Sequence, residues 1–249
     1  MCVTDMALSS PYLPFFIQAM VMASGSWPLQ SCQLDGPFQS EAVVGLLPQT
    51  LRHLVLKPDP ATISLENFPY NGHSLHMFHR FSHLEHLQID LGVPPGTADS
   101  SKLQGLLFEE DMCLPLLKSL YLTPQPLLCA PNLELDQCLP RLEYLVVVTE
   151  YCCAQPILQM PKLKFLDLGL FAKDNTIQIL HYHHLSIPAS SYLQRIHVTG
   201  PSDEHLELSL HIYKARMEVS CRNINNVRHH CCQDFRSDCP FSTLCQTCV

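Results

Sequence analysis

The chain has 249 residues, 47% of them hydrophobic and only 15% charged, enough apolar material for one elongated core or two compact ones. Its formal net charge is -8, no Lys or Arg precedes Arg52, and no cationic cluster follows; phosphate backbones need clustered cations, so nucleic acid is excluded as a partner. No apolar run reaches the length that spans a bilayer, which argues against a membrane protein.

Residues 1–26 read as an N-terminal cap or leader. A capping helix is expected over 10–24, with Pro11 and Pro14 limiting its start. Asp5 stands where a signal peptide carries positive charge, and no Asn-x-Ser/Thr sequon occurs. Thirteen cysteines are an odd number for a disulfide framework. The expected location is therefore cytoplasmic or nuclear.

Over residues 27–200 one hexapeptide, apolar-x-x-apolar-x-apolar, returns seven times. It reads LQSCQL from Leu29, LRHLVL from Leu51, LEHLQI from Leu84, LKSLYL from Leu117, LEYLVV from Leu142, LKFLDL from Leu163 and LQRIHV from Leu193. The starts are spaced by 22, 33, 33, 25, 21 and 30 residues. Pro115, Pro140 and Pro161 each lie two residues before the first Leu, preceded by Leu114, Leu139 and Met160; Ser82 and Phe81 take those places before Leu84. A strand alternates its faces, so the fourth and sixth residues turn inward while the third and fifth turn outward. Where a proline stands ahead of the strand, it stops whatever helix precedes it. Helices or irregular turns are expected between strands, most clearly over Phe38–Leu47, His73–Phe81, Lys102–Met112 and Lys173–Tyr182. Loops are expected at GVPPGTADSS from Gly92 and TPQPLLCAPN from Thr123. One such unit cannot bury its own apolar side, so units must stack.

The P-x-L-x-x-L-x-L form resembles the leucine-rich-repeat family, in particular the irregular repeats of F-box substrate receptors and of plant-type immune receptors. That resemblance implies an α/β leucine-rich-repeat solenoid, with a parallel concave sheet and a helical or irregular convex side. It departs from the family pattern eight residues after the first Leu. There Asp59, Gly92, Gln125, Glu150, Phe171 and Pro201 replace the usual Asn or Cys. Neither an F-box in the first 28 residues nor a P-loop is recognisable. Residues 201–221, with ELSLHIYKARMEVSC from Glu207, read as C-terminal capping strands, and the Cys-rich tail 222–249 as disordered.

Metal chemistry has two candidate segments. His73, His76, His79, His83 and His86 place imidazoles at helical spacing, with Glu85 as the one acid among them. The tail holds Cys221, His229, His230, Cys231, Cys232, Cys239, Cys245 and Cys248, of which Cys245 and Cys248 form C-x-x-C. Neither matches a standard zinc spacing, so no metal and no cofactor are expected. G-x-S-x-G, H-E-x-x-H and P-loop motifs are absent, and no catalytic residue is expected.

The outward strand positions carry the functional expectation. They hold His53 and Val55, His86 and Gln88, Ser119 and Tyr121, Tyr144 and Val146, Phe165 and Asp167, Arg195 and His197. Tyr121, Tyr144, Val146 and Phe165 should form an aromatic-apolar patch bordered by His86 and Arg195. Large rigid rings on a water-facing sheet suit contact with another protein. The expected function is thus a non-catalytic protein-binding module. The F-box resemblance implies substrate recognition for a ubiquitin ligase and an adaptor as partner. Two alternatives stay open: a repeat fragment of an immune-type or signalling sensor, and a metal-binding protein using the Cys/His tail.

Overall fold

The computed structural model describes residues 5–9, 29–36, 44–58, 78–90, 106–108, 113–129, 135–150, 154, 157–171, 181–188, 191–199, 206–212, 217–222 and 226–231. Each of the seven hexapeptides enters a strand at its third residue. These strands are β2 (Ser31–Gly36), β3 (His53–Pro58), β4 (His86–Asp90), β6 (Ser119–Cys129), β7 (Tyr144–Glu150), β8 (Phe165–Phe171) and β10 (Arg195–Thr199). With β12 (Glu218–Arg222) they make eight parallel strands in series, and β1 (Asp5–Ser9) extends the sheet beside β2. A short strand, β5 (Leu106–Phe108), pairs with the far end of β6. Among the described residues the sheet is open, ending at β1 and β12. A second sheet of three parallel strands joins β9 (His181–Ile187), β11 (Leu206–Ile212) and β13 (Asn226–Cys231).

The repeat pattern maps onto burial without exception. Every first, fourth and sixth residue of the seven hexapeptides is at most 3% exposed. Fully burying such a side chain contributes on the order of 1.5–3 kcal/mol, and stacking repeats it unit after unit. A second set of buried residues backs these strands from the connections: Val44 and Leu47, Phe78 and Phe81, Leu135 and Leu139, Ile157 and Met160. Cys32 takes the fourth position of its repeat, and burial pushes its thiol up to about 12.

A backbone ladder fixes the register. In the first six hexapeptides the carbonyl of the second residue accepts two N–H donors from the next repeat. Gln30 accepts from Arg52 and His53, Arg52 from Glu85 and His86, and Glu85 from Lys118 and Ser119. The series continues through Lys118, Glu143 and Lys164, at 2.7–3.1 Å throughout. Before the strand, the first Leu donates back to the residue three positions earlier: Leu84 to Phe81, Leu117 to Leu114 and Leu142 to Leu139. Pro115 and Pro140 are thus the second residues of hydrogen-bonded turns, where their fixed φ is already the one required. Ahead of Leu193 the Ser191 hydroxyl accepts the Leu193 N–H instead.

The same second positions alternate in charge. Arg52, Glu85, Lys118, Glu143 and Lys164 follow one another, and ion pairs join Arg52 to Glu85 (3.2 Å), Lys118 to Glu85, and Lys164 to Glu143 (2.7 Å). Its bond from Lys118 holds the Glu85 carboxyl below its ordinary value, and the bond to Glu143 raises the Lys164 ammonium.

Several expectations change. Lys102–Met112 holds β5 where a helix or irregular turn was expected: Leu106–Phe108 is a continuous apolar run, and such runs serve strand or helix equally. TPQPLLC from Thr123 is strand, not loop, because β6 shifts register between Tyr121 and Pro126 and so accommodates its prolines at an irregularity. Tyr182 lies in β9. Within the expectation of helix or irregular turn, Phe78–Phe81 is a tight turn and residues 44–46 are helical. The one α-helix that spans four described residues is α1 (Leu135–Cys138). The segment from Glu207 divides between two sheets, β11 in the smaller and β12 in the larger. Within the tail, Asn226–Cys231 forms β13. Residues 10–24, 73–77, 92–101 and 173–180 fall outside the described residues.

Candidate functional site

The outward positions line up as two registered rows. In the first, His53, His86, Ser119, Tyr144, Phe165, Arg195 and Glu218 stand in neighbouring strands. In the second, Gln33, Val55, Gln88, Tyr121, Val146, Asp167, His197 and Ser220 do the same. Every residue expected to bind therefore lies on one face. Tyr144, His53, Asp167 and Arg195 are exposed; His86, Gln88, Tyr121, Val146, Phe165 and His197 are half-buried.

The centre of the face is aromatic. The Tyr144 and Phe165 rings stack, with centroids 4.7 Å apart and planes 10° from parallel. Tyr144 remains 46% exposed, whereas its chain neighbour Leu145 is 2% exposed on the opposite side. Tyr121 and Val146 occupy the second row beside them.

Polar pairs flank this centre. The His53 and His86 rings meet edge to face, centroids 4.5 Å apart. Burial, then the neighbouring His53, hold the His86 imidazole below its ordinary value; Glu85 opposes and Lys118 adds to the shift. On the other flank Arg195 Nε donates to Glu218 at 2.8 Å. The Ser220 hydroxyl lies 2.6 Å from His197 Nδ1, and Thr199 Oγ1 lies 3.2 Å from its Nε2. Two hydroxyls thus fix the imidazole in place, one on each ring nitrogen.

Sequence reasoning missed Glu218 and Ser220 as members of this face. The signal was present: EVSC from Glu218 repeats the outward-inward alternation, with Val219 and Cys221 at the inward positions. Arg216 stands where the first Leu belongs, and that hides the repeat. Of the histidine cluster, His79 and His83 sit on a turn and His86 on β4. Among the described residues no group of three or more His, Cys, Asp or Glu is placed to hold a metal ion. Among the described residues, too, no helix is long and apolar enough to cross a membrane.

Comparisons with protein-family models, with curated proteins and with solved structures gave no match to this chain.

Proposed function

We propose that the chain is a leucine-rich-repeat-type solenoid that binds another protein through the outward face of its parallel sheet. The stacked Tyr144–Phe165 pair carries this reading. Two rings are held in one geometry at the centre of a registered face, so little side-chain entropy is left to lose on contact. Their exposed area stabilises nothing further until a partner covers it, and central aromatic anchors of this kind dominate interface energies. The flanking His53–His86 and Arg195–Glu218 pairs supply a polar rim. The F-box resemblance makes substrate recognition for a ubiquitin ligase the specific form proposed. Recovery of no ligase adaptor, where an established receptor recovers one, would remove that part alone. Unbridged Cys32 and Cys113 fit work in a reducing compartment, cytoplasm or nucleus.

The test is affinity purification with the intact chain beside a Tyr144→Ala/Phe165→Ala variant, followed by titration of the recovered protein. Losing both anchors should weaken binding by about thirtyfold or more, the equivalent of about 2 kcal/mol, while the chain stays folded and its melting temperature falls by only a few degrees. A folded double variant that keeps full affinity moves the site off this face.

A further inference from the structure

Four outward residues make a square at the centre of the sheet. Tyr144 stands in register with Phe165, and Val146, two residues further along β7, with Asp167 on β8. Three corners are aromatic or apolar; the fourth is an exposed carboxylate. Neighbouring strands lie about 4.8 Å apart and residues rise about 3.3 Å each, so one long side chain can touch all four corners. Tyr144 is 46% exposed, and its ring is held by the stack with Phe165. Gly169 follows Asp167 on the same face of β8 and adds no side chain that would cover the carboxylate.

Whatever covers the rings covers this carboxylate too. A stable interface buries about 800 Å² on each partner, far more than one square of a sheet. A carboxylate taken out of water needs a counter-charge and hydrogen bonds, or binding is penalised. The groups on the next strand are already engaged. Arg195, in register with Phe165, donates to Glu218 at 2.8 Å. His197, in register with Asp167, has the Ser220 hydroxyl 2.6 Å from Nδ1 and the Thr199 hydroxyl 3.2 Å from Nε2. The counter-charge therefore comes with the partner. A side chain that suits all four corners has an apolar stem and a cationic head. Arginine suits them better than lysine: its fork matches both carboxylate oxygens, and its guanidinium gives up water more readily than an ammonium. The net charge of -8 favours a basic partner at long range as well.

We propose that this face selects a basic segment of its protein partner, one arginine of which lies across Tyr144, Phe165 and Val146 and pairs with Asp167. The inference rests on the face being the binding surface, as proposed above. The probe is a phage-displayed library of random peptides, panned on the full chain and counter-selected on the Tyr144→Ala/Phe165→Ala variant, so that only face-dependent peptides survive. Those peptides should share an arginine. Labelled with fluorescein and titrated by anisotropy, they should bind Asp167→Asn about tenfold more weakly than the original chain. Replacing the shared arginine by glutamine should cost as much, and both changes together little more than either, because they remove one interaction. Panning on Asp167→Lys should return peptides rich in Asp or Glu instead. Face-dependent peptides with no shared arginine, full affinity for Asp167→Asn, or an unchanged selection on Asp167→Lys overturns the arginine and leaves the face standing. Recovery of no face-dependent peptide removes the face, and the inference with it.

Discussion

Leu145→Ala separates the two sides of the sheet more sharply than any other single change. Leu145 is the fourth residue of its hexapeptide, 2% exposed, with Leu120 and Leu166 in register on either side. Truncation removes the transfer free energy of the lost methyl and methylene groups and leaves a cavity walled by both neighbours. The expected loss is about 2–5 kcal/mol. For a chain of this size each kcal/mol lowers the melting temperature by roughly 2–4 °C. Tyr144→Ala, one residue earlier, removes half of an exposed ring stack and should cost about 1 kcal/mol. Urea titration followed by circular dichroism reads both, and the slope should not change. A loss below about 1 kcal/mol for Leu145→Ala, or equal losses for the two variants, would refute the assignment of inward and outward positions.

Gly169 follows the same face two residues beyond Asp167, and a Cβ there would sit 2.9 Å from Val148 Cγ2. Val148 is β-branched and stiff, so Gly169→Ala should destabilise by about 1–3 kcal/mol in the same titration; a neutral result would mean the β7–β8 pair separates freely. Acidification should act through His86. Its folded value lies below the ordinary 6.5, so the unfolded chain takes up the proton first, and stability is intact above the unfolded value and falls as pH drops through it. His86→Gln should flatten melting temperature against pH between about 7 and 5, and an unchanged slope would remove His86 as the source.

The seven hexapeptides were legible because burial and alternation coincide: Leu54 and Leu56 are inward, His53 and Val55 outward, and the sheet repeats that choice in chain order. The stacking of Tyr144 on Phe165 follows from the same count, since both hold the third position of neighbouring repeats. The prolines were legible as punctuation but not as turn residues, because a stop to a helix and the second place of a turn demand the same φ. What escaped has a common cause. β5 is three apolar residues without a period, β9 reads HYHHLSI with no clean alternation, and β12 carries Arg216 in place of the leading Leu. The flanking pairs of the face also escaped. Whether His197 meets a hydroxyl depends on β12 arriving beside β10, across 18 intervening residues.

The alternating charges of Arg52, Glu85, Lys118, Glu143 and Lys164 impose a parity on the array. Excising the single unit that carries Glu85 would bring Arg52 against Lys118, and excising the one that carries Lys118 would bring Glu85 against Glu143. Removing two consecutive units restores opposite signs at the new junction. The apolar positions are nearly interchangeable between units and would accept either excision. The ion pairs are individually weak and half in water, but they make odd deletions and skipped pairings during folding costlier than even ones. The edge charges thus act as a counting device for a core that cannot count.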